Sequence, residues 1–344
     1  MKELEQFCRE LKKNFKPRDK GNHVKTWSEK DYLEGIGVVD AFVIILRTRG
    51  CSWAIKSGCS MCGYFNDSTW RKLSANDILS QFNLAMKNYN GEQIVKIFTS
   101  GSFLDENEVP KITLEKILLN LANKTRKISI ETRPEYVTEE RLKEIRKLVD
   151  KSDLEISIGL ESANDKILEY SINKGFKFED YRKAAKIIIE NDLKLKTYLL
   201  VKPPFLTERE AINDCIDSAK KIMDFPGTIS LNPVCIQKNT LVEYLWKNKE
   251  YRPPWLWSIT EILKTLGKNK KNNIRVKCDI VAGGRERGAH NCGKCDHLVL
   301  DKIRSFSLHQ NIEELKDVYC ECKEEWKEYL DLQELTHTEP RLFM

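Results

Sequence analysis

The stretch VVDAFVIILRTRGCSWAIKSGCSMCGY, residues 38–64, decides how the rest of the chain is read. Its first half is a run of β-branched and other apolar residues, the pattern of a strand buried on both faces. Its second half carries Cys51, Cys59 and Cys62 in a C-x7-C-x2-C spacing, followed by an aromatic, Tyr64. A buried strand that runs into a cysteine loop puts sulfur at its C-terminal end. In parallel α/β sheets that is the end where ligands collect.

The same arrangement recurs downstream. QIVKIFT (93–99), RKISIET (126–132), DLEISIGL (153–160), KLKTYLLV (194–201) and TISLNPVCI (228–236) read as strands of the same kind. Each ends in an unusual polar motif: TSGSFLD (99–105), ETRPEY (131–136), GLES (159–162), KPPF (202–205) and NPVCIQKNT (232–240). Helical patterns lie between them. Ser74 with Asp77, and Thr207 with Glu210, read as helix caps, and 178–192 has apolar spacing near 3.6. Six strands alternating with helices predict an α/β fold with a parallel sheet. Six units are too few for a full eight-stranded barrel and suit a partial (β/α)6 TIM-type barrel; a doubly wound sheet obeys the same strand-end rule. The expected divisions are an N-terminal helical and basic segment (1–37), a partial barrel (38–250) and a C-terminal basic, cysteine-containing region (251–344).

Composition bounds the function. The chain has 344 residues, 41% apolar and 32% charged, ordinary for a globular protein. No apolar run approaches the ~18 residues of a membrane span, and the first residues, MKELEQFCRELKKNFK, lack a signal-peptide core. A cytoplasmic location without membrane attachment is expected. In a reducing compartment clustered cysteines bind metal or do chemistry more often than they form disulfides. Cys8, Cys215 and Cys235 stand alone and read as small buried residues.

Three thiolates from one loop suit a [4Fe-4S] cluster whose fourth iron has no protein ligand. The alternative is a zinc site completed from elsewhere. A second group follows the barrel: Cys292, Cys295, Cys320 and Cys322 would make a tetrahedral Zn2+ site, with Cys278 as an alternative ligand and His290 as a substitute. Unconnected cysteines or a second iron–sulfur cluster are the competing readings.

The net charge of +6 is a mild hint of an anionic partner. Between Lys264 and Arg287 eight basic residues face only Asp279 and Glu286. Lys268, Lys270, Lys271, Arg285 and Arg287 are therefore candidates for nucleic-acid contact. A second basic stretch, Lys12 to Lys20, is as readily a solvated surface.

The cysteine triad, TSGSFLD, ETRPEY and GLES on successive strands resemble the radical S-adenosylmethionine (SAM) superfamily. The long first gap is similar to that of the branch containing the elongator acetyltransferase catalytic subunit. RTRGCSWAIKSGCSMCGYFNDS, SIETRPEYVT, LLVKPPFLTEREAIND and GAHNCGKCD resemble most the archaeosine synthase radical SAM subunits. The resemblance implies that Cys51, Cys59 and Cys62 hold the cluster, which binds SAM and cleaves it to a 5′-deoxyadenosyl radical. It implies that Ser100, Gly101 and Ser102 meet the SAM amino group, although the usual GGE form is absent. Glu131 would meet the ribose, Arg133 a carboxylate, and Tyr64 one side of the cluster. A plain glycine turn and an internal Glu–Arg pair are the bland readings of these segments. Glu161 and Lys202 are the catalytic candidates. The implied substrate is a lysine-bearing 7-deazaguanine in the tRNA D-loop. A lysine-transferring partner subunit attaches the lysine, and C–N cleavage then leaves the archaeosine amidine. An electron donor is implied as well. Two other readings compete: another radical SAM modification, of acetyl-transfer or methylthiolation type, and a zinc-containing RNA-binding protein without catalysis.

Overall fold

A computed structural model describes residues 2–13, 15–19, 24–316 and 318–336. Lys20, part of the N-terminal basic stretch, lies outside the described residues. One eight-stranded sheet runs in chain order: β1 (Val24–Leu33), β2 (Gly37–Leu46), β3 (Ile94–Phe98), β4 (Lys127–Thr132), β5 (Asp153–Glu161), β6 (Lys194–Val201), β7 (Gly227–Pro233) and β8 (Ile274–Cys278). β1 and β2 form an antiparallel hairpin, and every later pairing is parallel. The helices are α1 (Lys2–Glu10), α2 (Ser52–Lys56), α3 (Ala75–Ala85), α4 (Lys111–Ala122), α5 (Glu139–Leu148), α6 (Phe178–Glu190), α7 (Glu208–Ile222), α8 (Leu241–Lys247), α9 (Leu256–Asn269), α10 (Asp296–His309) and α11 (Cys322–Thr336). The caps anticipated at Ser74 and Thr207 are both capping boxes. No helix among the described residues is long and apolar enough to cross a membrane.

The six expected strands are β2 to β7, so the fold is the α/β partial barrel that the pattern predicts, with one further strand at each end. β1 comes from the segment expected to be helical and basic, and β8 from the region beyond residue 250. Both escape a hydrophobicity pattern because their inward faces are charged. Those charges draw the two edges together. Lys277 on β8 lies 3.8 Å from Asp31 on β1, and the Arg275 guanidinium sits 3.7 Å from the Tyr32 ring centroid. The sheet therefore curls, and side chains bridge its first and last strands. Arg275 and Lys277, two of the eight basic residues between Lys264 and Arg287, are turned to this internal use.

Side chains alternate across each strand. One face of β3 to β6 presents Val95, Ile97, Ile128, Ile130, Ile156 and Leu199 to the helices, all fully buried. The other face fills the barrel with polar groups, also buried: Lys96, Ser129, Glu155, Ser157, Lys196 and Lys277. They neutralise one another. Glu155 takes Lys127 at 2.9 Å, Lys196 at 2.5 Å and the Ser129 hydroxyl at 2.9 Å. Lys96 pairs with Glu29 at 2.7 Å and with Asp31. Burial alone would raise the Glu155 carboxyl, but Lys127 and Lys196 outweigh it and hold the group well below the usual carboxylate range. Lys277 and Lys96 do the same for Asp31.

These depressed values contribute stability that is complete above the ordinary carboxylate range, near pH 4–5, and lost as pH falls below it. Glu155→Ala strands two buried ammonium groups. It should cost roughly 3–5 kcal/mol in urea unfolding at neutral pH and flatten the acid limb of the stability profile.

Candidate cofactor and metal sites

The cysteine loop leaves the end of β2 and is tied to three other strand ends. Cys51 immediately precedes α2, so one helical turn separates it from Cys59. Toward β3, the buried carboxyl of Glu108 accepts the Thr48 hydroxyl at 2.6 Å and the Ser102 N–H at 2.5 Å. Gly101 lies flat on the loop: a Cβ there would fall 2.5 Å from the Cys51 Cα. Ser52 donates to Asp105 at 2.5 Å. Toward β5, Ser60 donates to the Ser171 carbonyl at 2.7 Å, and the Trp53 indole donates to the Asn173 carbonyl at 2.8 Å. Toward β7, the Gln237 side chain accepts the Gly63 N–H at 2.5 Å. Lys12, between α1 and the sheet, donates its ammonium to the carbonyls of Ala54 and Ser57. Gly58, at φ +94°, makes room for it, since a Cβ would overlap the Lys12 Nζ.

The three thiols are free of disulfides. One ion with sulfurs ~2.3 Å away cannot hold two of them more than ~4.6 Å apart. Among the described residues, the only group of three or more candidate ligands lying within 4.8 Å of one another is elsewhere, so Cys51, Cys59 and Cys62 are set wider than one ion allows. A cluster of several irons takes its thiolates from a wider set than a single ion does. Burial pushes the bare Cys62 thiol up to about 12 and raises Cys51 as well. The positive charge of a bound metal is what deprotonates such thiols.

The other candidates divide. Ser102 and the β4 end are joined: the Arg133 N–H donates to the Ser102 hydroxyl at 3.1 Å and the Phe103 N–H to the Glu131 carbonyl at 2.8 Å. Ser100 lies half-buried in the same turn. Burial pushes the Glu131 carboxyl up to about 7, against the hydrogen bond from Tyr198. Arg133 is buried over the Phe176 ring and spends its Nε on Glu135 at 2.5 Å. Glu161 ends β5 in a left-handed conformation, φ 73°, and binds Lys174 at 2.9 Å. Tyr64 stays 57% exposed while lying in electrostatic reach of Cys62 and Glu131, which places its ring at the barrel mouth. Lys202 does not join them. Its ammonium is buried 2.6 Å from Glu208, between the Tyr251 and Tyr329 rings. Glu108, Lys12 and Gln237 were missed because no spacing rule links them to the cysteines.

The second cysteine group does converge. Cys292, Cys295, Cys320 and Cys322 have all their sulfurs within 4.8 Å. Three of the separations are 4.0, 3.7 and 3.6 Å. A tetrahedral zinc with ~2.3 Å bonds sets sulfurs about 3.8 Å apart. The Trp257 indole and the Asn291 amide donate to Cys322 and Cys295 at 3.3 and 3.4 Å, the outer contacts that orient metal thiolates. Cys278 and His290 lie outside the set: Cys278 is buried on β8, and the His290 ring faces the Gly288 carbonyl at 2.8 Å.

The basic residues fall at opposite ends of the barrel. Lys268, Lys270 and Lys271 precede β8 and so lie at the N-terminal ends of the strands, with Lys271 paired to Asp224 at 2.6 Å. Arg285 and Arg287 follow β8, at the same end as the cysteine loop. Arg285 is exposed, whereas Arg287 is pinned to Glu243 at 2.9 Å and stacked on Trp246.

In anaerobically reconstituted protein, metal quantification should separate the two sites. Replacing Cys51, Cys59 and Cys62 by Ala should abolish iron and leave zinc, and Cys292→Ser should do the reverse. Cys278→Ser should change neither.

Comparison with known proteins agrees with this geometry. The radical SAM superfamily model matches residues 45–215. Archaeosine synthase subunit beta of Methanosarcina acetivorans is 41% identical, over 95% of each chain. That of Thermococcus kodakarensis is 40% identical, over 88% of this chain and 94% of its own. Among solved structures, the Elp3 of Methanocaldococcus infernus is similar at 17% identity, over 67% of this chain and 58% of that one, with a TM-score of 0.48. By sequence, this chain belongs to the radical SAM superfamily and, within it, to the family of archaeosine synthase beta subunits.

Proposed function

We propose that this chain is the radical-generating subunit of an archaeosine synthase. It would act on a lysine-bearing 7-deazaguanine in the tRNA D-loop, cleave a C–N bond of the lysyl side chain and leave the archaeosine amidine. A partner subunit would attach the lysine, and an electron donor would reduce the site. The observation that carries the reading is a three-thiol set, too wide for one ion, at the strand ends of a chain 41% identical to an archaeosine synthase subunit beta over 95% of its length.

Cys51, Cys59 and Cys62 would hold a [4Fe-4S] cluster, and the strand ends beside them would hold SAM. When bound, this pair supplies one electron and the organic radical chemistry. The remaining work belongs to the chain. The Ser100–Ser102 turn, pressed on Cys51, offers backbone groups to the SAM amino group. Glu131, its carboxyl pushed up to about 7, can both donate and accept hydrogen bonds at a ribose. Arg133 retains its terminal nitrogens for a carboxylate. Lys174 holds Glu161 in place beside them. Tyr64 screens the mouth from water, which keeps a reactive intermediate from side reactions. Lys202 is best read as a positioning group, since its ion pair with Glu208 ties the β6 loop to α9: Glu208 also accepts the Trp255 N–H and the Ser258 hydroxyl, at 2.8 and 2.6 Å. Zn2+ would bind at Cys292, Cys295, Cys320 and Cys322. For tRNA docking at the mouth, Arg285 and Arg287 stand at the correct end of the barrel.

Reconstituted protein, SAM, dithionite and lysine-modified tRNA should yield archaeosine in the nucleoside digest, read by mass spectrometry. Cys59→Ala should form none. Cleavage of SAM without archaeosine, with the lysine-transferring subunit also present, would remove the substrate assignment and leave the superfamily intact.

A further inference from the structure

Three cations stand around the cysteine loop, and their surroundings differ. Arg133 lies in electrostatic reach of Cys51 and Cys59, but Glu135 neutralises it at 2.5 Å. Lys174 lies in reach of Cys59, but Glu161 neutralises it at 2.9 Å. Lys12 is in reach of all three cysteines. Its side chain is buried, 7% exposed. Its ammonium is held by neutral acceptors: the Ala54 carbonyl at 3.0 Å, the Ser57 carbonyl, and the face of the Phe65 ring at 5.0 Å. Among the described residues no carboxylate pairs with it. A neutralised cation leaves little net field at the thiols. Burial lowers the Lys12 ammonium from its usual range while the nearby thiols act to keep it charged, and a cation without a carboxylate partner leaves more of its field at the thiols than a paired one.

We propose that Lys12 is a positioning residue for the redox step, whose unpaired charge raises the reduction potential of the cluster held by Cys51, Cys59 and Cys62. The step is the transfer of one electron from an external one-electron donor to the cluster, which becomes more negative by one unit. A fixed positive charge stabilises the reduced form more than the oxidised form, so the potential rises. Net charge and burial are the terms that set such potentials. The placement also explains the two carbonyl contacts: they fix the ammonium over α2, the helix that separates Cys51 from Cys59. The inference rests on the cluster reading alone and needs neither tRNA nor a partner, so its failure is distinct from failure of the substrate assignment.

The experiment is an EPR-monitored dithionite titration of the reconstituted cluster, without SAM, in wild type, Lys12→Gln, Lys12→Met and Lys12→Arg. Gln and Met are both neutral and one atom shorter than Lys; Gln is polar and Met apolar. Iron, sulfide and zinc contents confirm that each variant is folded and loaded. Gln and Met variants should titrate at a more negative potential than wild type, and Arg close to it. A loaded Gln variant with the wild-type potential would overturn the proposal. So would loss of iron from both neutral variants with zinc retained, because Lys12 would then act mechanically.

Discussion

A single buried carboxyl, that of Glu108, decides where the cysteine loop lies. It accepts from the Thr48 hydroxyl and the Ser102 N–H, so it spans the ends of β2 and β3. Thr48 in turn accepts the Gly50 N–H at 3.1 Å, which sets the turn that presents Cys51. Ser102 passes the order on, since its hydroxyl takes the Arg133 N–H at the end of β4. Removing such a group leaves buried donors unsatisfied, and the cost falls on every loop in the chain of contacts. Burial pushes this carboxyl up to about 7, a sign of how little water reaches it. The start of the cysteine loop is therefore hydrogen-bonded into the neighbouring strand ends.

The barrel interior below the site follows a second constraint. Filling it with charge is affordable only if the charges cancel locally. Glu155 with Lys127 and Lys196, and Asp31, Glu29 and Asp279 with Lys96 and Lys277, are two sets that place four carboxylates against four ammonium groups. The second set also joins β1 to β8, so the neutralisation of Lys277 and the curl of the sheet have one cause. Curling brings the strand ends toward a common mouth, where the loops after β2, β3, β5 and β7 meet.

Much of this was legible in the chain. Strands β2 to β7 announce themselves because their outward faces pack on helices and are apolar. The motifs at their ends stand out because loops in a parallel sheet have no structural need of Cys-x2-Cys or Glu-Thr-Arg. β1 and β8 were hidden because Asp31, Arg275 and Lys277 are partnered only in three dimensions. The same limit applies to Lys202: a lysine at a strand end carries no sign of whether a glutamate six residues on will pair with it, as Glu208 does. Lys12 and Glu108 contact the cysteine loop from 39 and 57 positions away from Cys51, and no local pattern connects them.

The two cysteine groups can be distinguished by what separates their members. Cys292 and Cys295 are joined by two residues, and Cys320 and Cys322 by one; neither gap can hold a helical turn. Each pair therefore stays close, and the two pairs meet at separations near those of a tetrahedral ion. The seven residues between Cys51 and Cys59 are long enough to fold, and they do, into α2. A helix of five residues rises ~7.5 Å along its axis. Cys51 caps its start, and Cys59 follows three residues beyond its end. The x7 gap is thus a spacer. The sulfurs of Cys51, Cys59 and Cys62 accordingly do not all lie within 4.8 Å of one another, as those of the second group do.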